Sequence, residues 1–219
     1  MINIISFKVC PFFQYVTSML EAIKLPYEVE YADFDNCLFD ISPNGKAPVL
    51  ITESGEALFD ADAIVSYLES LHGRLYQAKT NEEAALIEAW ANYGSKNYVP
   101  QCSTMRSETQ PEFEAYLDVF EKAIANMERQ LGKHSYFMGE EISRVDIAWL
   151  PILYRARLVE DGVGFDFFAN YPSVKQWQKT LLSLDIAKQS VSGDFEQVFN
   201  DFYLSTRFQA RRNKASIAS

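Results

Sequence analysis

The apolar positions of the chain follow two rhythms. Over the first seventy residues, short runs rich in β-branched and aromatic side chains alternate with stretches of helical period. Ile2 to Val9 predicts a buried strand. Pro11 suits a first helical position, where no N–H is needed, and opens a helix to about Lys24. That helix carries Val16, Met19, Leu20 and Ile23 on one face. Pro26 to Tyr31 predicts a second strand, and Pro48 to Thr52 a third after the turn Ser42-Pro43-Asn44-Gly45. The turn Glu53-Ser54-Gly55-Glu56 leads into Ala57-Leu58-Phe59. A helix from about Asp62 to Leu71 then turns Ile64, Val65, Leu68 and Leu71 inward, and Gly73 follows it as glycine does past a helix end.

From about Asn81 the period becomes helical throughout. Glu82 to Tyr98 carries Ala85, Leu86, Ala89 and Trp90 at helical spacing. Pro111 to Leu131 continues with Phe113, Tyr116, Leu117, Phe120, Ile124, Met127 and Leu131. Ser143-Arg144-Val145-Asp146 reads as a capping box with a shortened acid, flanked by Ile142 and Ile147 as a hydrophobic staple. That reading gives Asp146 a structural role, not a catalytic one. Phe167, Phe168, Tyr171, Trp177 and Leu181 complete the helical core. The change of rhythm places a boundary near residues 74 to 81, between a small α/β unit and a larger helical one.

Charge narrows the function classes. The 219 residues carry 20 Lys and Arg against 30 Asp and Glu, a formal net charge of -10. Nucleic-acid binding, which draws its affinity from Lys and Arg, is excluded as an expectation, and so is an anionic membrane surface. Residues 1 to 73 hold 3 basic and 11 acidic side chains, a net of -8, whereas the last fifteen residues add +4 through Arg207, Arg211, Arg212 and Lys214. No apolar run approaches the roughly 20 residues of a membrane span, and the start lacks a basic leader. Three cysteines, Cys10, Cys37 and Cys102, do not make a disulfide framework and point to a reducing cytoplasm. With only His72 and His134, a His-rich metal site is not expected.

Three segments carry candidate chemistry. Cys10 stands where a strand gives way to a helix. Unpaired N–H groups and the positive helix end favour a thiolate there, so its pKa is expected to fall. The alternative is a small buried hydrophobe. Phe13 occupies the place of a resolving thiol, so a dithiol cycle within this motif is excluded. A monothiol needs an external thiol to complete turnover. In Gly45-Lys46-Ala47-Pro48-Val49, Pro48 could hold its preceding bond cis, presenting the Ala47 backbone to a peptide-like ligand; it could equally be a plain loop-to-strand proline. Asp60 and Asp62 open a helix, either as caps or as partners of a ligand ammonium, while the N–H groups of Ala61 and Asp62 suit a carboxylate.

Together these segments resemble the soluble glutathione transferases. Cys10-Pro11-Phe12-Phe13 is similar to the catalytic cysteine motif of the omega-like, thiol-transfer classes. Ser42 to Leu50 resembles the family's cis-proline segment, and Leu58 to Leu68 the stretch that usually carries Glu-Ser. The resemblance implies a thioredoxin-like α/β N-terminal domain (1–74), an all-α domain (82–204) and a basic tail (205–219). It implies glutathione as cosubstrate, held by Lys46, Ala47, Pro48, Asp60 and Ala61, with Cys10 as catalytic thiol. Phe12, Tyr93 and Tyr98 become candidate walls of a pocket for a small electrophile or mixed disulfide, and a homodimer is implied. The implied activity is glutathione-dependent thiol transfer, including deglutathionylation and reduction of dehydroascorbate or glutathionyl ketones. Its rivals are a non-catalytic binding or scaffolding protein on this fold, and a transferase that conjugates glutathione using a hydroxyl. The sequence departs from the family at Asp60-Ala61, where the hydroxyl expected to meet the γ-glutamyl carboxylate is missing. The arginine common soon after the cysteine motif is also missing, with Tyr15 and Val16 in its region.

Overall fold

A computed structural model describes residues 1–32 and 38–204 of the protein. Cys37 and the basic tail lie outside the described residues. The chain forms β1 (Ile2–Ser6), α1 (Pro11–Ala22), β2 (Tyr27–Tyr31), β3 (Val49–Ile51), β4 (Ala57–Phe59) and α2 (Ala61–His72). The sheet order is β2-β1-β3-β4. β1 runs parallel to β2 and antiparallel to β3, and β3 runs antiparallel to β4. Expected and observed strands agree except at their ends: β1 stops at Ser6, because Phe7 to Cys10 turns into α1 with the Cys10 N–H donating to the Phe7 carbonyl at 3.1 Å.

The remaining elements are helical: α3 (Asn81–Lys96), α4 (Tyr98–Arg106), α5 (Gln110–Gln130), α6 (Arg144–Val163), α7 (Pro172–Leu182), α8 (Ile186–Gln189) and α9 (Phe195–Tyr203). The mixed β-α unit is therefore followed by an all-helical one. The long helix expected to reach Tyr98 breaks at Asn97 instead. Pro100 explains this: it cannot donate to the Lys96 carbonyl, so the ladder of α3 cannot pass through it. Tyr98 thereby becomes the first residue of a separate helix.

The inward face of α3 also differs from expectation. Ala85, Leu86 and Ala89 face solvent, and the buried line runs instead through Ala91 and Gly94. A Cβ on Gly94 would lie 2.7 Å from Trp149 Nε1. The small residue is what lets the α6 indole sit against α3, so the small face wins over the one bearing leucine. Leu71 stands 53% exposed at the last turn of α2, against the inward position expected of it.

Helix α6 is the spine. It is buried along almost its whole length and packs on α1 as well as α3. Its start is held as the capping-box pattern predicts: Asp146 accepts from the Ser143 N–H at 2.8 Å and the Ser143 hydroxyl at 2.7 Å. Between them Arg144, 2% exposed, gathers α1, α2 and α3 around one guanidinium. It donates to the Tyr15 hydroxyl (2.9 Å), the Asp62 carbonyl (3.0 Å), Glu69 (3.2 Å) and Glu88 (2.8 Å). Tyr15, in the region where the family commonly has an arginine, thus receives one from the helical unit.

Candidate active site

The sheet brings the three sequence segments to one edge. Ile5 is opposite Val49, and Val49 is opposite Phe59. Cys10 follows β1, Ala47-Pro48 precedes β3, and Asp60-Ala61 follows β4, so all three lie beyond the same end of the sheet. The Ala47–Pro48 bond is cis, the form that the motif suggested. The Cys10 Sγ lies 3.9 Å from the Ala47 carbonyl oxygen. Pro48 is buried, Ala47 half-buried and Lys46 exposed.

Cys10 is the N-cap residue of α1, extended at φ -73 and ψ 120. Its carbonyl accepts the first helical bond, from Gln14 N at 3.2 Å, while its side chain makes no cap bond. The thiol is therefore left facing an open cleft of about 550 Å³. The expectation of a lowered pKa is corrected by the structure. Burial pushes the Cys10 thiol up; the Phe13 N–H, the Arg155 charge, the Phe12 N–H and the Ser6 hydroxyl pull it down without reversing the direction. Desolvation of the charged form outweighs the helix end.

Asp60 caps α2, its Oδ1 accepting from Ala63 N at 3.1 Å. Its φ of 72 is a left-handed value that non-glycine residues rarely hold, a form of strain that clusters at ligand sites. Asp60 is exposed and Ala61 is 4% exposed. Asp62 turns away toward α3 and α6, accepting from the Ser95 hydroxyl at 2.9 Å. Burial pushes its carboxyl up. Of the two acids, only Asp60 stays at the sheet edge.

The far wall of the cleft comes from α4, the start of α5 and α9. Phe12 and Tyr98 meet edge to face with centroids 5.0 Å apart, and both line the cleft. The Tyr98 hydroxyl is committed, donating to the Ala148 carbonyl at 2.5 Å. Tyr93 lies elsewhere. Its ring packs on Trp90 and Trp149, and its hydroxyl accepts from Asn126 at 2.7 Å. Five residues before Tyr98 and across the Asn97 break, it points into the helical core instead of the cleft.

Two groups at this end of the sheet fall outside the sequence motifs. Cys102 lines the cleft and accepts a hydrogen bond from the Tyr203 hydroxyl at 3.3 Å. Burial pushes its thiol up. Arg155, fully buried on α6, donates to the Val9 carbonyl one residue before Cys10. A signal existed: Ala148, Ile152, Arg155 and Val159 share one helical face, which places an arginine in an apolar line.

The family profiles described as "Glutathione S-transferase, N-terminal domain" and "Glutathione S-transferase, C-terminal domain" match residues 9–71 and 110–178. The Arabidopsis thaliana protein named "Glutathione S-transferase DHAR2" is 31% identical over 189 residues, covering 80% of each chain. The chain belongs to the glutathione transferase family. Within it, the likeness in sequence is to proteins of the DHAR type. The rice (Oryza sativa subsp. japonica) protein named "Probable glutathione S-transferase DHAR1, cytosolic" is 27% identical over 179 residues, again covering 80% of each chain. The crystal structure of glutathione transferase Omega 3C from Trametes versicolor superposes with a TM-score of 0.73 at 20% identity, over 87% of this chain and 89% of that one, a likeness of fold. Among the described residues, no helix is long and apolar enough to cross a membrane.

Proposed function

We propose that the protein is a glutathione-dependent thiol transferase in which Cys10 is the nucleophile. The observation that carries this reading is a half-buried thiol at a helix N-terminus, open to a cleft, beside the Ala47 backbone at the edge where Asp60 and Ala61 also lie. Glutathione would lie along that edge. Lys46, Ala47 and Pro48 hold it, Ala47 by hydrogen bonds to the cysteinyl part, with Asp60 meeting its ammonium and the Ala61 N–H its γ-glutamyl carboxylate. Phe12 and Tyr98 wall the space for the second substrate.

The Cys10 thiolate attacks the glutathionyl sulfur of a mixed disulfide. A Cys10–glutathione disulfide forms and the partner thiolate leaves. A second glutathione thiolate then attacks that disulfide, regenerating Cys10 and carrying away oxidised glutathione. Conjugation by the hydroxyl of Tyr98 or Tyr203 is disfavoured, because those hydroxyls are already engaged, with Ala148 and Cys102. The reading carries a homodimer with it by family resemblance, which sedimentation tests, and places the protein in the cytoplasm.

Burial sets the pH dependence. Because Cys10 is pushed above the ordinary thiol range, the thiolate is the minor form at neutral pH. A minor thiolate of raised pKa is still a strong nucleophile. The rate of single-turnover deglutathionylation by the unliganded protein is expected to go on climbing as pH rises past neutral. A rate already flat at neutral pH contradicts this.

The alanine at position 61 sets affinity. A charge-assisted hydrogen bond contributes about 1.5–3 kcal/mol, or about ten- to a hundredfold in binding. Ala61→Ser is therefore expected to tighten glutathione by at least about tenfold, measured by titration calorimetry. No gain would remove Ala61 from the carboxylate site. The competing reading, a non-catalytic binding protein on this fold, has the missing hydroxyl in its favour. Assay of the wild type on a glutathionylated peptide decides between them: turnover supports the enzyme, and binding without turnover supports the rival.

A further inference from the structure

We propose that Arg155 is a positioning residue for Cys10, its buried guanidinium anchored to the main chain at Val9 so that its charge steadies the Cys10 thiolate. This rests on Cys10 being the working thiol, as proposed above.

The side chain is fully buried on α6. Its Nη1 donates to the Gln14 Oε1 and to the Pro151 carbonyl at 3.4 Å, and its Nη2 to the Val9 carbonyl at 3.4 Å. Its Nε is buried with no partner. The guanidinium lies 5.2 Å over the Phe195 ring. Every acceptor in this set is neutral. Among the described residues no carboxylate pairs with Arg155, although Arg144, eleven residues earlier on the same helix, has three acids around it. A buried cation without an anion is expensive, and proteins keep one where a partner becomes charged. Arginine cannot shed its proton to escape that cost.

The groups facing it that can become anions are few. Cys10 comes from the start of α1, Tyr98 and Cys102 from α4, Tyr203 from α9, and Tyr154 from α6 itself. Burial pushes all five up, and Arg155 pulls each down. Among the described residues, Lys8 pairs with Asp194 at 2.7 Å, Glu196 accepts from Tyr154 at 3.2 Å, and Arg106 lies over Phe202 and acts on Cys102. Glu108 and Glu112 line the same cleft around the start of α5, Glu112 accepting from the Thr109 N–H at 3.1 Å. Cys10 alone of the five also has helix N–H groups, those of Phe12 and Phe13, favouring its anion. The guanidinium and the helix end thus converge on one sulfur.

The test is the pH profile of Cys10 alkylation by iodoacetamide, from about pH 6 to about pH 11, followed by peptide mass. In this reaction the thiolate forms the S–C bond and iodide leaves; no glutathione is needed. Wild type, Arg155→Met, Arg155→Gln and Arg155→Lys are compared, with Arg157→Met as a surface control on the same helix. Loss of the charge is expected to move the midpoint up by about one unit. Alkylation near neutral pH then slows about tenfold, while the alkaline plateaus coincide. Arg155→Lys is expected to restore most of the shift, and Arg157→Met to behave as wild type. An unchanged midpoint in any folded charge-removing variant overturns the proposal. So does equal slowing at every pH, which is a loss of access. If neither Met nor Gln folds, citrulline at position 155 keeps the arginine shape and removes the charge: a raised midpoint supports the proposal and an unchanged one overturns it. A midpoint shift in a protein that fails to deglutathionylate any substrate sinks the thiol-transferase reading and leaves this one standing.

Discussion

Replacing Asp146 with alanine is expected to remove about 3–5 kcal/mol of folding stability, the range for stripping one partner from a buried, charged network. The carboxylate is fully buried and accepts four hydrogen bonds. Oδ2 takes the Ser143 N–H (2.8 Å) and hydroxyl (2.7 Å); Oδ1 takes the Phe137 N–H (2.9 Å) and the Trp177 Nε1 (2.8 Å). One side chain therefore fixes the start of α6, the loop before it, and α7. Alanine leaves those donors without their partner in a place water does not reach. Asp146→Asn keeps the shape and one acceptor oxygen but aims an amide N–H at donors. It is expected to lose about 2 kcal/mol. Urea unfolding with an unchanged slope measures both. A loss under about 1 kcal/mol for the alanine variant contradicts this account of α6.

Cys10→Ser is expected to lower thiol transfer by at least about a thousandfold while leaving the fold intact. A serine hydroxyl does not ionise near neutral pH and forms no disulfide. The structural cost is small, because the thiol's hydrogen bond is the long 3.9 Å contact to the Ala47 carbonyl and its backbone bonds survive. Cys102→Ser is the informative companion. Cys102 shares the cleft but sits on the α4 wall under Tyr203, so its loss is expected to leave turnover within about threefold of wild type. Peptide-based turnover assays at saturating glutathione read both variants. A Cys10→Ser protein with a tenth or more of wild-type activity contradicts the assignment.

Much of this architecture was legible in the sequence because it follows from local chemistry. Pro11 after Cys10, the glycine after α2, the cis-proline motif and the Ser143–Asp146 box each act within a few residues. The edge where Cys10, Ala47 and Asp60 gather was legible only through resemblance, since strand register is a long-range property. What the periodicity missed was decided by packing between elements. The face of α3 was misjudged because leucine at position 86 outweighed the small line through Gly94, whose meaning depends on a tryptophan 55 residues away. Tyr93 and Tyr98 looked alike until Pro100 split their helix. The burial of Arg144 and Arg155 is not legible in the sequence, because charged residues are ordinarily solvent-facing. Their burial became visible only when α6 was packed against α1. The lowered Cys10 pKa failed for the same reason: the helix end is local, but burial is set by the whole cleft.

The most direct test of the central claim is the mass of the protein after brief exposure to a glutathionylated peptide without free glutathione. The account predicts one added glutathione, mapped to the peptide containing Cys10, and its removal by reduced glutathione with release of the oxidised form. An unmodified Cys10, or an adduct that forms equally fast in Cys10→Ser, would contradict it.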